Sequence, residues 1–217
     1  MRGAVIAAAL CLALAGAGCS SALLGPDGDP PARYRLDPPV AGAGVGPGVQ
    51  VPARLPLALA VARPRAAGSL DGDRIAVVQP GNRFDHYAGI RWSEPAPDML
   101  QSLLVRTLQA GGRFETVTGA PSRVPADLLL VAELRRFEAR YSAADSAPVV
   151  EVEMQFTLVD LRGGRRVPGP LASAQAPAAA DRRAEVTSAF QLATGQVLAQ
   201  AAAWLAGVEL PDAGPAR

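Results

Sequence analysis

Val150-Glu151-Val152-Glu153-Met154-Gln155-Phe156-Thr157-Leu158 decides the fold. Apolar and polar side chains alternate along it without a break. A period of two is that of a β-strand with one face on a core and the other toward water. The stretch ahead of it, Asp127 to Leu134, is mostly apolar and suits a central strand. Its phase then slips: Leu130, Ala132 and Leu134 are even-numbered, whereas Phe137, Ala139 and Tyr141 are odd. Such a slip predicts a β-bulge near Arg135-Arg136. The link Ser142 to Pro148 makes the two strands an antiparallel pair. Leu161 to Arg166 turns through Gly163-Gly164, and Arg166 to Ala176 reads as a weaker strand.

Two helices flank this centre. Glu94 to Ala110, with Ser93 as its expected N-cap, sets Met99, Leu100, Leu103, Leu104 and Leu108 on one face. Pro95 and Pro97 fit only its first turn, and Gly111-Gly112 ends it. Asp181 to Val208 is rich in Ala and aligns Val186, Phe190, Ala193, Val197, Ala201, Trp204 and Val208, which predicts a helix lying close against its own sheet. Further strands are expected at Arg33 to Leu36, Leu55 to Val61 and Phe114 to Val117. Pro56 belongs at the start of its strand or on an edge. Arg74 to Gln79 and Phe84 to Trp92 form a hairpin around Pro80-Gly81-Asn82. The sum is an α+β fold, an antiparallel-rich mixed sheet with two main helices packed on it.

The amino terminus places this domain. Arg2 precedes the apolar run Ala4 to Leu14, and small residues Gly16-Ala17-Gly18 lead to Cys19. A positive charge, a short apolar core and a small-residue cleavage site make a secretory signal. The core falls short of the ~20 apolar residues that cross a bilayer. A Cys after the small residues points to a lipoprotein signal over residues 1–18, although Gly16 stands where Leu is usual. Cys19 would then carry acyl chains such as palmitate; two or more chains anchor stably. The competing assignment is an ordinary leader cut elsewhere. Ser20, where Asp would favour the inner membrane of enteric-type bacteria, favours the outer membrane. Residues 19–32 read as a lipidated Cys and flexible tether reaching at most ~45 Å from Ser20 to Ala32. Residues 33–210 form the domain and 211–217 a disordered tail.

Composition narrows the chemistry. Removing residues 1–18 from 217 leaves 199, with 20 basic residues against 20 acidic ones. Binding to nucleic acid through bulk charge is not expected. There is no Lys, which excludes a Walker A loop and Schiff-base catalysis. With Cys11 in the leader and Cys19 lipidated, no disulfide is expected. His86 is the sole His, and no G-x-S-x-G elbow accompanies it, so it reads as a surface or sheet-edge residue. Asp71-Gly72-Asp73 lacks the later ligands of a calcium loop and reads as a turn. Glu151 and Glu153 read as a solvated strand face, and Arg162, Arg165 and Arg166 as a solvated turn. No metal, cofactor or catalytic residue is expected. Arg74, Tyr87, Arg91 and Trp92 stand out on the hairpin, where forked guanidiniums and amphipathic aromatics suit a partner or lipid headgroups. The competing assignment buries Trp92 beneath the first helix and pairs the arginines with acids.

Cys19-Ser20-Ser21, Tyr34-Arg35-Leu36, Ala60 to Arg65, Gly72 to Val77, Tyr87-Ala88, Arg91-Trp92, Ala126 to Leu134, Phe137-Glu138 and Ala203-Trp204-Leu205 occur in an order and spacing covering nearly the whole mature chain. In these the chain resembles the ABC-type transport auxiliary lipoprotein component family, PqiC-like lipoproteins that accompany MCE-domain lipid transporters. The resemblance implies a non-enzymatic lipoprotein, anchored through Cys19 on the periplasmic face of the outer membrane, that assists movement of phospholipids or related hydrophobic molecules. It implies an MCE-domain shuttle, an ABC permease and an ATPase as partners. Self-association through the sheet edges stays open. An envelope-assembly scaffold or regulator is the alternative.

Overall fold

A computed structural model describes residues 30–38, 54–143 and 146–209. The leader, Cys19, the tether up to residue 29, the Gly/Pro-rich stretch 41–53 and the tail 211–217 lie outside the described residues. The chain divides between Pro30 and Pro31, and every element below belongs to the unit that begins at Pro31. In order these are β1 (Ala32–Tyr34), β2 (Leu55–Val61), β3 (Arg65–Ala66), β4 (Arg74–Gln79), β5 (Arg83–Trp92), α1 (Ala96–Ala110), β6 (Phe114–Gly119), β7 (Leu128–Arg140), β8 (Val149–Asp160), β9 (Arg166–Pro177) and α2 (Arg183–Gly207). The fold is α+β, with nine strands in one sheet among the described residues.

β7 is the spine. Along one edge it runs antiparallel to β8, from Leu128 opposite Asp160 to Arg140 opposite Val149, and β8 in turn holds β9 antiparallel. Along the other edge three short strands lie in series, each parallel to it. β2 faces Leu128 to Leu130, β3 faces Glu133-Leu134, and β4 faces Glu138 to Arg140. From β2 the sheet extends to β6, and from β4 to β5 and then β1. The longest ladders are thus antiparallel and the parallel ones short. A register shift between Leu134 and Arg136 marks the bulge that the parity change predicts. Pro56 sits at a register irregularity near the start of β2, where its missing N–H interrupts no regular ladder.

Both helices cover one face, α1 against β6 and β2, α2 against β9 and β8. Met99, Leu100, Leu103, Leu104 and Leu108 are buried, as the helical period requires, and so are Val186, Phe190, Ala193, Val197 and Ala201. Each such large aliphatic or aromatic side chain contributes about 1.5–3 kcal/mol on burial. α1 starts later than its sequence suggests. Pro95, not Ser93, occupies the N-cap position, and no side chain caps the helix. The Ala96 N–H donates to the Gly72 carbonyl at 2.9 Å, and the Ser93 N–H to the Tyr34 carbonyl at 2.7 Å, tying β1 to the helix entry. α2 lies so close to β9 that a Cβ on Gly169 would fall 2.8 Å from the Trp204 ring.

Candidate functional site

The four residues singled out on the hairpin separate into three environments. The cause is a distortion in β5. Between the pairs Ala76–His86 and Arg74–Arg91, two steps on β4 correspond to five on β5, so Tyr87, Ala88 and Gly89 are extra. Gly89 takes φ 68°, a conformation natural to glycine, and lets the strand recover its course.

Trp92 is fully buried, its ring centroid 5.1 Å from Phe190 on α2 and 5.4 Å from Phe137 on β7. It therefore offers no surface to a partner, and the helix it packs beneath is the second. Its indole Nε1 has no hydrogen-bond partner among the described residues. Tyr87 is half-buried and its hydroxyl lies 2.7 Å from that of Tyr141, which donates to Asp181 Oδ1 at 2.5 Å. Burial, helped by the Asp181 hydrogen bond, pushes the Tyr141 hydroxyl well above its ordinary pKa. Burial also raises Tyr87. This relay joins β5, the end of β7 and the approach to α2.

Arg74 and Arg91 remain at the surface, and the register adds a third member that the sequence pattern does not show. Arg33 on β1 stands opposite Arg91 on β5, which stands opposite Arg74 on β4. Asp73 bridges two of them, 2.7 Å from Arg91 and 3.7 Å from Arg33.

Several other charged groups are engaged within the fold. Asp71 accepts from Arg63 at 2.6 Å, and Arg63 also forks onto Asp98 at 2.7 and 3.1 Å. The hydrogen bond to Asp98, then that to Asp71, raises the Arg63 pKa above its ordinary value. Both carboxylates of Asp71-Gly72-Asp73 thus serve guanidiniums. Among the described residues no group of three or more His, Cys, Asp or Glu could hold a metal. His86 Nε2 lies 3.3 Å from the Ser69 carbonyl, with Phe84 edge-on at 5.2 Å. Arg162 pairs with Asp127.

Glu151 corrects the expectation of a wet strand face. It is only 9% exposed, and Arg136 at 3.1 Å, Arg140 at 3.3 Å and Gln175 at 3.2 Å donate to it. Arg140 also donates to buried Glu138 at 2.7 Å. The bulge at Arg135 brings Arg136 opposite Glu153 and beside this network. Two carboxylates and two guanidiniums there join β7 to β8, and the Gln175 amide adds β9. No described helix is long and apolar enough to cross a membrane.

A family model described as "ABC-type transport auxiliary lipoprotein component" matches residues 34–202. Among solved structures, the crystal structure of protein XCC0632 from Xanthomonas campestris is similar. It has 27% sequence identity over 82% of this chain and 94% of that one, with a TM-score of 0.66. A second crystal structure, of an uncharacterized protein, shares the fold at 16% identity, covering 82% of this chain and 99% of that one, with a TM-score of 0.61. Comparison with curated proteins gives no match.

Proposed function

The chain belongs to the ABC-type transport auxiliary lipoprotein component family. From that premise we propose that it is held by a lipidated Cys19 on the periplasmic face of the outer membrane. There it serves as a non-catalytic auxiliary component of an ABC/MCE-type transporter that moves phospholipids or related hydrophobic molecules between membranes. The observation that carries this reading is the extent of the family match, which runs from the last residue of β1 into α2 and so takes in strands β2 to β9, all of α1 and most of α2.

The division of labour follows from the residues. A chain without Lys supplies no Walker A loop, so energy enters through a partner ATPase. The single His is turned to a backbone carbonyl, which supports a docking role over hydrolysis. α2 seals against β9 through Trp204 and Gly169, which favours a domain that receives the MCE shuttle over one that carries cargo between helix and sheet. The anchor fixes position, and the globular domain docks the shuttle component there.

Affinity capture of the lipidated chain from solubilised envelopes tests this. The expected result is co-purification of an MCE-domain protein and an ABC permease, together with failure of Cys19→Ala to restore transport in a deletion strain. Full function of Cys19→Ala, or capture of wall-synthesis enzymes in place of transporter subunits, would overturn the reading.

A further inference from the structure

The register of β1, β5 and β4 lines up three like charges. Arg33, Arg91 and Arg74 are neighbours across adjacent strands. Side chains opposite one another share a sheet face about 5 Å apart, and like charges so placed repel. Among the described residues a single carboxylate, Asp73, answers the row, bridging Arg91 and Arg33. Arg74 has no carboxylate within 4.0 Å among the described residues. The Arg33 side chain is 58% exposed and that of Arg91 40%. An open, under-neutralised row of guanidiniums adds little to the fold. Its forked N–H groups suit a phosphate, whose oxygens can accept from adjacent arginines at once.

We propose that the Arg33–Arg91–Arg74 row docks onto the anionic phosphate headgroups of the membrane that tethers the chain. The choice of a lipid surface over an acidic protein rests on the anchoring reading and on place in the chain. β1 is the first described strand after Cys19, and its start lies within about 45 Å of the anchor even with the tether fully extended. A tether that short holds the row at high effective concentration near the headgroups. Docking through the row turns the β1 edge toward the bilayer and fixes which surfaces remain open to the transporter.

The test uses the unlipidated chain from Ser20, which retains the whole compact unit beginning at Pro31. It is sedimented at low salt with phosphatidylcholine vesicles, alone or containing about one-third phosphatidylglycerol. The parent is expected to bind the mixed vesicles and not the neutral ones. Inorganic phosphate at matching concentration is expected to leave that binding intact, because a free ion lacks the surface potential. Arg33→Gln/Arg74→Gln, which keeps the Arg91–Asp73 pair, is expected to weaken binding about tenfold or more. Arg165→Gln/Arg166→Gln serves as the control and is expected to bind like the parent. Equal binding to both vesicle types would overturn the proposal and leave the row to an acidic partner protein. Displacement by inorganic phosphate would assign it to a free anion, and an unchanged double variant or an equally weakened control would remove it altogether. Since no lipid is attached in this assay, a negative result bears on the row and not on Cys19.

Discussion

Trp92→Ala removes a ring that touches Phe137 and Phe190 at the junction of β5, β7 and α2. The expected loss is about 3–5 kcal/mol, the range for deleting a large buried aromatic, read as a lower urea midpoint with an unchanged slope. Parental stability would contradict the burial of Trp92. Tyr141 gives a prediction in pH. Its hydroxyl is held protonated in the folded chain by burial and Asp181, whereas in the unfolded chain it titrates near pH 10. Below that pH both states hold the proton and nothing changes. As pH rises past about 10 the unfolded state loses its proton first, so stability falls. Tyr141→Phe should flatten that fall, and an identical alkaline profile for the variant would contradict the relay. At this scale the sequence shows Arg74 and Arg91 as residues of interest but hides Arg33 beside them. Nothing local in Arg33-Tyr34-Arg35 says which strand it will meet. The same blindness hides Glu151, whose alternation reads as solvated until Arg136, Arg140 and Gln175 close over it.

The seam between α2 and β9 is the element most exposed to test. Gly169 leaves room for the Trp204 ring, and an added Cβ would fall 2.8 Å from it. Gly169→Ala should therefore destabilise by about 1–3 kcal/mol through forced repacking. Combining it with Trp204→Leu, which removes the clashing ring, should recover part of that loss. Strict additivity of the two changes would contradict the contact. Elements whose signal is periodic are readable beforehand. The bulge in β7 betrays itself because a one-residue slip flips the parity of its apolar set, and both helices follow from their apolar stripes. The distortion in β5 is harder to see, since Phe84 to Trp92 looks like one continuous strand. Its one local sign is Gly89 inside a strand pattern, a residue that often marks a bulge. β3, two residues long, carries no periodicity, and the parallel placement of β2, β3 and β4 along β7 depends on contacts that no single segment encodes.

For the molecule as a whole, the lipid anchor we propose at Cys19 and a closely packed α+β domain would together suit a component that holds its place and receives partners. The same scale joins the arginine row to Cys19, because on these proposals a short tether would let a weak headgroup contact set the domain's orientation. The proposed anchor is also what the wider account depends on, and its sign in the sequence is the leader, where small residues run into Cys19. Mass spectrometry of the amino-terminal peptide of the protein isolated from membranes tests it directly. The account predicts a peptide beginning at Cys19 with a diacylglyceryl thioether and an N-acyl chain. A peptide that begins elsewhere, or at an unmodified Cys19, would contradict it.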